Sequence, residues 1–284
     1  MSRVLFFAWI GLSMLGLTSV AQAAAKTPLL LAVHPYLNRD ELLSRYQPLA
    51  DYLSRAIDQP VAVRIGTNYQ DHLHHVAQDK VDIAFIGPAI YVDMRQKYGV
   101  KQLLARFEVH GKPTFQGRIV AQQNGEIQEI SDLKGKLFAF GDPKSTMSHL
   151  VPRYLLYQSG ITVNNMAGHA FLGSHHNVAM AVMAGDFDAG AVKDEVYQTF
   201  KKRGLRLIAS TQPIPEHLFI ARKGLPKPLV KKLRKALLEI TQHRSGKRIL
   251  SGLKKGLTNL VDVQEEDYDD LDHLLQILTQ IGAR

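Results

Sequence analysis

The stretch that decides the fold is Gly141-Asp142-Pro143-Lys144-Ser145-Thr146-Met147-Ser148-His149. It follows a short apolar run, Leu137 to Phe140, and opens a helical pattern from Leu150 to Gln158. The first backbone N–H groups of a helix have no partner inside the helix, and they point outward, where an anion can bind them. A strand, a glycine-containing turn and a helix start that carries hydroxyl groups therefore predict a seat for an oxyanion.

Two other interpretations of the same residues stay open at this point. Serine and threonine at a helix start are often ordinary N-caps. Ser145, His175 and either Asp188 or Asp194 would also formally supply a hydrolase triad, but no Gly-x-Ser-x-Gly elbow surrounds Ser145. We therefore expect a binding protein with no catalytic residues.

The N-terminus has the pattern of a secretory signal peptide. Residues 1–23 combine Arg3, an apolar run from Val4 to about Leu17, and Ala21-Gln22-Ala23, the small-x-small pattern that precedes cleavage. The apolar run is too short for a stable membrane span. The mature chain is expected to be soluble and to lie outside the cytoplasm.

The composition and net charge limit the classes of partner that the protein is expected to bind. The formal net charge is +9, which favours an anionic small molecule, a nucleic acid or a membrane surface, and export argues against nucleic acid. The sequence has no cysteine, so disulfides, thiolate chemistry and cysteine-bound zinc are excluded. No cofactor is expected.

Short apolar runs alternate with helical patterns from Leu29 to Ala209, which is typical of open α/β sheets. Asn38, with Glu41 three residues later, predicts the capped start of the first helix. Ligands of such sheets collect where the strands end, and His34-Pro35-Tyr36, Gly87 to Tyr91 and the Ser145 turn all follow strands.

The C-terminal region separates its charges. Basic residues dominate 227–255, and an acidic block follows at 262–272. We interpret the region as two amphipathic helices with solvated faces, the alternative being a docking surface for a membrane partner.

A histidine cluster, His72, His74 and His75, falls on a predicted helix. His72 and His75 have a spacing that could share a metal ion. Without a carboxylate or cysteine in register, a solvated helix face is the preferred interpretation, and no metal site is expected.

Five ordered motifs resemble one family, the phosphate/phosphite/phosphonate-binding proteins of bacterial ABC importers, which belong to the type II periplasmic solute-binding proteins. The motifs are Phe85 to Tyr91, Asp132-Leu133-Lys134-Gly135-Lys136, Gly141 to Thr146 with Val151-Pro152, Gly173-Ser174-His175-His176, and Val182 to Val192.

The resemblance implies two α/β lobes joined by two crossing strands, with the ligand between them. Lobe one would comprise residues 27–113 plus 217–284, and lobe two residues 114–216. It also implies a set of ligand-binding residues: Tyr36, Tyr91, Ser145, Thr146, Ser148, His175 and Glu195. Glu195 falls where some members hold the organic end of the ligand.

The sequence also departs from the family. Phosphonate binders commonly have Ser-Thr-Ser-Gly at the seat, whereas this chain has Met147 and Ser148 in the last two places, so Met147 is expected to add bulk at the pocket mouth. Members that bind an amino-phosphonate carry a carboxylate after the second crossover, where Glu216 and His217 are the candidates.

The resemblance implies a monomeric periplasmic protein that delivers a phosphonate, phosphite or phosphate to the membrane permease of an ABC importer. A sensory subunit that reports ligand occupancy to a membrane kinase or cyclase would need the same cleft. The sequence does not separate these two functions.

Overall fold

The computed structural model describes residues 26–284, so the predicted signal peptide lies outside the described residues. The strands are β1 (Leu29–Val33), β2 (Val61–Ile65), β3 (Ile83–Ile86), β4 (Gln102–Val109), β5 (Thr114–Phe115), β6 (Gly117–Gln122), β7 (Leu137–Phe140), β8 (Gly168–Phe171), β9 (Ala189–Lys193), β10 (Leu205–Ser210), β11 (Ile214–Pro215), β12 (Leu218–Ala221) and β13 (Leu257–Val261). The α-helices are α1 (Arg39–Ile57), α2 (Tyr69–Ala77), α3 (Pro88–Tyr98), α4 (Val151–Gln158), α5 (His175–Ala184), α6 (Asp194–Phe200), α7 (Lys227–Leu238), α8 (Gly246–Leu253) and α9 (Asp269–Gln280).

The strands form two main sheets. The larger sheet has six strands in the order β13-β4-β12-β3-β1-β2, and the smaller has five in the order β10-β6-β9-β7-β8. In each sheet three parallel strands form one side, β3-β1-β2 and β9-β7-β8, and antiparallel strands complete the other side. The predicted α/β class, with two lobes, is confirmed.

The two lobes are joined where the chain passes between the sheets. β5 and β11 pair with each other, Ile214 opposite Phe115, in the segments that lead from β4 to β6 and from β10 back to β12. These are the two crossing strands that the family resemblance implies.

Helices cover both faces of each sheet. On the larger sheet α1, α7 and α8 pack on one face, and α2, α3 and α9 pack on the other. On the smaller sheet α4 covers one face, while α5 and α6 cover the other. Within the described residues, no helix is both long and apolar enough to cross a bilayer.

Local signals in the sequence explain two of the helix starts. Asn38 accepts a hydrogen bond from the Glu41 N–H at 2.9 Å, which is the predicted cap of α1. Ser145 likewise accepts a hydrogen bond from the Ser148 N–H at 3.1 Å. The helix that follows β7 therefore begins where the sequence predicts.

Candidate functional site

Two helix starts, one from each lobe, face each other across the cleft. The Ala89 N–H, in the first turn of α3, donates to Thr146 Oγ1 at 3.3 Å. Thr146 opens the π-helical turn Thr146–Leu150, which continues directly into α4. Both helices carry the partial positive charge of an N-terminus at this point, so the space beside the contact favours an anion.

The first turn after β7 is a π turn because of Pro152. Proline has no N–H, so the Ser148 carbonyl lacks its normal helical donor and accepts instead from the Gly141 N–H at 3.0 Å. The Leu150 N–H reaches back to the Ser145 carbonyl at 3.1 Å. The wider turn leaves the first N–H groups and the half-buried Ser145 hydroxyl at the start of the helix.

Ser145, Thr146 and Ser148 have different surroundings. The oxygens of Ser145 and Thr146 both accept backbone N–H groups, so each hydroxyl hydrogen remains able to donate to a ligand. Ser148 is fully buried against Gly141, and its hydroxyl has no partner among the described residues. Its side chain packs against the backbone of the turn.

Met147 does not lie at the pocket mouth, contrary to the sequence-based expectation. It is buried, and it belongs to the same core cluster as Ala89 and Ile90 of α3. Its bulk therefore fills the contact between the lobes.

His175 is the first residue of α5, and its ring orientation is set by the backbone. Nδ1 accepts a hydrogen bond from the Lys193 N–H at 3.0 Å, so the neutral ring carries its proton on Nε2. Burial, together with Lys193, His217 and Lys254, lowers the pKa of His175 to about 3. His175 is therefore a neutral donor.

Tyr36 belongs to lobe one and Glu195 to lobe two. Burial raises the pKa of Tyr36, the hydrogen bond with Tyr46 and the charge of Arg45 oppose this, and the charge of Glu195 adds a smaller increase. Tyr36 is 39% exposed, and its hydroxyl lies 3.3 Å from the Tyr46 hydroxyl. Glu195 is exposed and pairs with Lys193 Nζ at 3.0 Å.

Tyr91 requires a correction, because its side chain points into the core of lobe one. The ring packs on Tyr268 with the ring centroids 4.9 Å apart, and the residue is 1% exposed. Its hydroxyl has no hydrogen-bond partner in the described residues, and burial and Glu265 raise its pKa to about 12. The structure does not bring Tyr91 together with Tyr36.

Aromatic rings form a wall on lobe one, and some of them belong to stretches singled out from the sequence, His34-Pro35-Tyr36 and Glu216-His217. The His34 ring lies 4.9 Å from the Tyr36 ring and 5.1 Å from the Tyr69 ring, measured between centroids. His217 stacks on Phe85 at 5.4 Å, and its Nε2 lies beside Gly87, immediately before α3. His34 follows β1 and His217 precedes β12, and the packing of both rings on Phe85 depends on long-range contacts that no local pattern predicts.

Glu216 orients His217. The fully buried Glu216 accepts hydrogen bonds from His217 Nδ1 at 2.9 Å and from Lys254 Nζ at 2.6 Å. Burial alone would raise the pKa of Glu216, but Lys254 and His217 lower it well below its usual range. Nothing in the sequence links Lys254, 38 residues further along the chain, to Glu216.

The three histidines of the predicted cluster lie in different environments. His72 is fully buried beside His34, and neither ring nitrogen has a hydrogen-bond partner within residues 26–284, so the solvated-face interpretation is wrong for it. His75 contacts Arg64 and Asp71, and His74 contacts Lys80. In the described part of the chain, no group of three or more histidine, cysteine or carboxylate side chains is placed to hold a metal ion.

The residues weighed as a hydrolase triad do not form one. Nδ1 of His175 accepts a backbone N–H, whereas a triad histidine donates this proton to a carboxylate. Asp194 pairs with Arg118 at 2.6 Å, and Asp188 accepts from the Leu137 N–H at 2.7 Å. Both carboxylates therefore have structural partners.

A family model described as "ABC transporter, phosphonate, periplasmic substrate-binding protein" matches residues 31–268. Two relatives are each 25% identical to the chain. One is a probable ABC transporter phosphite-binding protein, PhnD1, of Prochlorococcus marinus, with 87% of this chain and 88% of the relative covered. The other is the phosphate-import protein PhnD of Mycolicibacterium smegmatis, with 87% and 84% covered.

Solved structures share the fold. The Prochlorococcus marinus PhnD1 complex with methylphosphonate has a TM-score of 0.77 at 22% identity, covering 88% of this chain and 98% of that one. A binding component of an ABC phosphonate transporter from Pseudomonas aeruginosa has a TM-score of 0.76 at 19% identity, covering 91% and 89%. The family model spans more than half of the chain, and we conclude that the protein belongs to the phosphonate family of periplasmic substrate-binding proteins of ABC transporters.

Proposed function

We propose that this protein captures a small phosphonate-, phosphite- or phosphate-type oxyanion between its lobes and delivers it to the membrane permease of an ABC importer. The observation that carries the proposal is the contact between the Ala89 N–H and Thr146 Oγ1, which brings the helix N-termini of the two lobes together. Opposed N-termini concentrate unpaired N–H donors around one small volume.

Five of the residues predicted from the sequence keep a proposed role at the ligand, and we propose that buried Ser148 supports the turn behind them. Ser145 and Thr146 donate their hydroxyl hydrogens, and His175 donates from Nε2. Tyr36 closes the cleft from lobe one, and Glu195 borders the substituent of the ligand. We add His217 because it lies beside the start of α3: its Nδ1 donates to Glu216 and burial lowers its pKa, so the neutral ring offers Nε2 as an acceptor for a protonated oxygen of the ligand.

The lobe boundaries proposed from the sequence, residues 27–113 plus 217–284 and residues 114–216, are supported by the strands of the two sheets. Every strand of the larger sheet falls in the first set, and every strand of the smaller sheet falls in the second. We further propose that the chain acts as a non-enzymatic monomer after removal of residues 1–23.

A thermal-shift panel tests this function. The purified protein is melted with phosphate, phosphite, methylphosphonate, 2-aminoethylphosphonate and sulfate. A ligand that binds only the folded state stabilises it by about 2.7 kcal/mol at a hundred times its Kd. At least one phosphorus oxyanion should raise the melting temperature. If none does at millimolar concentration, the proposal is wrong.

The partner needs a separate test, because a sensory subunit would use the same cleft. Ligand-dependent stimulation of ATP hydrolysis by the cognate permease and ATPase in proteoliposomes is expected. Stimulation of a membrane kinase or cyclase in its place would identify the sensory alternative.

A further inference from the structure

The segment 227–255, which contains α7 and α8, carries a set of cations that are not among the residues assigned to the oxyanion site. Eight of these side chains are exposed, and we call them the basic face. They are Lys227, Lys231, Lys232, Lys235, Arg244, Lys247, Arg248 and Lys255.

The basic face lies on one side of the molecule. The apolar side chains of α7 and α8, such as Leu233 and Leu250, pack with α1 against the same face of the larger sheet. The cations of these two helices therefore point away from that sheet together. The acidic helix α9 lies on the opposite face, where Leu274 packs.

The acidic and basic regions differ in how they are paired. Carboxylates of the acidic block bind arginines of the same molecule, as in Arg95 with Asp269 and Asp272, and Arg106 with Asp267. None of the eight cations of the basic face forms an ion pair within residues 26–284. The positive charge is thus left available to an external partner.

The spacing of the lysines on α7 also destabilises this helix. Lys227, Lys231 and Lys235 are spaced four residues apart on α7, where like charges repel. Lys227 adds a positive charge to the first turn, at the positive end of the helix dipole. A negatively charged surface would relieve both effects.

The composition of the basic face favours a lipid surface over a protein. Protein interfaces are anchored by aromatic and other apolar side chains. Of the large apolar side chains exposed in the described chain, none lies between residues 227 and 255. Most of the cations are lysines, which act as point charges and need no fixed partner geometry.

We propose that the basic face holds the protein electrostatically against an anionic phospholipid surface. Clustered lysines and arginines are attracted to such a surface, and the attraction weakens with salt. The inference does not depend on the identity of the oxyanion, because the basic face lies outside the set of residues assigned to the cleft.

Vesicle co-sedimentation tests the inference with matched triple variants. Vesicles of phosphatidylcholine alone are compared with vesicles containing phosphatidylglycerol. The test variant combines Lys231→Glu, Lys235→Glu and Lys247→Glu. The control combines Lys134→Glu, Lys201→Glu and Lys202→Glu, which are exposed positions in the region of the smaller sheet. Both variants change the net charge equally, and their folding is checked by thermal melting. Glutamine replacements serve at any position where glutamate disturbs the fold.

The wild-type protein should bind the anionic vesicles, and 0.5 M salt should release it. The test variant should bind at least about tenfold more weakly, while the control should change by less than about threefold. Equal losses in the two variants would show attraction by net charge alone and overturn the proposal. Equal binding to phosphatidylcholine, or no binding to the anionic vesicles, would also overturn it.

Discussion

At the scale of single residues, the ring of His175 is fixed in one tautomer. A protonated His175 would place a proton on Nδ1, where it would face the Lys193 N–H that Nδ1 now accepts. The neutral Nε2–H is therefore the donor that the cleft offers. This differs from an imidazolium, which would donate more strongly at low pH.

The tautomer predicts how His175 contributes to binding at different pH values. His175→Asn keeps an acceptor for the Lys193 N–H but removes the Nε2 donor. We expect weaker binding by about tenfold, with the ratio of wild-type to variant affinity constant from pH 5 to pH 9. Calorimetry with one ligand cancels the ligand's own titration. Affinity curves that converge at high pH would show that a protonated His175 binds the ligand.

Buried His72 predicts acid sensitivity. Burial and Arg64 lower the pKa of His72 to about 4. The unfolded chain binds this proton below about pH 6.5, and the folded protein does not until about pH 4, so falling pH favours unfolding. The free energy of unfolding should fall with pH in this window, with His72 contributing about 1.4 kcal/mol per pH unit.

Denaturant titrations at pH 6, 5 and 4.5 measure that contribution. His72→Leu should reduce the slope by about 1.4 kcal/mol per pH unit and leave the contributions of other buried histidines such as His149, whereas His74→Gln, at an exposed position on the same helix, should leave the slope unchanged. An equal slope in wild type and His72→Leu would show that His72 is not buried in its neutral form.

The cleft carboxylates predict discrimination against amino-phosphonates. Glu195 pairs with Lys193, and Glu216 pairs with Lys254 and His217, so a ligand ammonium group would find neither carboxylate free. An unpaired buried charge costs about 1–3 kcal/mol or more. Ethylphosphonate should therefore bind at least about tenfold more tightly than 2-aminoethylphosphonate, a ligand of matched length.

The variant Lys193→Met removes the ion-pair partner of Glu195. It should reduce the difference in affinity between ethylphosphonate and 2-aminoethylphosphonate, as measured by calorimetry with both ligands. Tighter binding of 2-aminoethylphosphonate by the wild-type protein would contradict the charge assignment.

At the scale of elements, Ser145 has two functions that can be separated. It caps the helix that follows β7, and its hydroxyl hydrogen is free to donate. Ser145→Ala should lower the free energy of unfolding of the ligand-free protein by about 1 kcal/mol and also weaken ligand binding. Ser145→Asp restores the cap but adds a negative charge beside the oxyanion.

Denaturant unfolding and calorimetry on both Ser145 variants check this separation. We expect Ser145→Asp to recover stability while binding remains lost. Recovery of both would mean that Ser145 acts only as a cap.

The sequence predicts elements well where the signal is local. The bounds of β7 and the helix starts at Asn38 and Ser145 follow from apolar periodicity and from capping residues within a few positions. The C-terminal prediction of two helices was wrong, because the structure has α7, α8 and α9 with β13 among them. Leu257-Thr258-Asn259-Leu260-Val261 carries a weak strand signal, and its pairing with β4 is a long-range contact.

The site is harder to predict because its parts meet only through the fold. The oxyanion seat after β7 can be predicted from the sequence because its strand, turn and helix start are consecutive in the chain. Tyr91 lies in a motif that suggests a ligand-binding role. Its position in the first turns of α3 directs its side chain toward Tyr268. The Glu216, His217 and Lys254 group depends on the return of the chain to lobe one, which no local pattern encodes.

At the scale of the whole molecule, the proposed anion site takes one half from each lobe. Lobe one supplies the start of α3, the aromatic wall and His217, and lobe two supplies the Ser145 turn and His175. Thr146 joins the halves through Ala89. An oxyanion held there would contact both lobes, so its binding energy would favour the closed arrangement.

The most direct test is calorimetric titration of wild type, Thr146→Val and Thr279→Val with phosphate, phosphite and methylphosphonate. Thr279 is exposed on α9 and its hydroxyl donates to the Leu275 carbonyl, so Thr279→Val controls for loss of a threonine hydroxyl. We predict that wild type and Thr279→Val bind at least one of the three oxyanions equally, and that Thr146→Val binds it at least about tenfold more weakly. Equal affinity in Thr146→Val would contradict the claim that the oxyanion lies between the two helix N-termini.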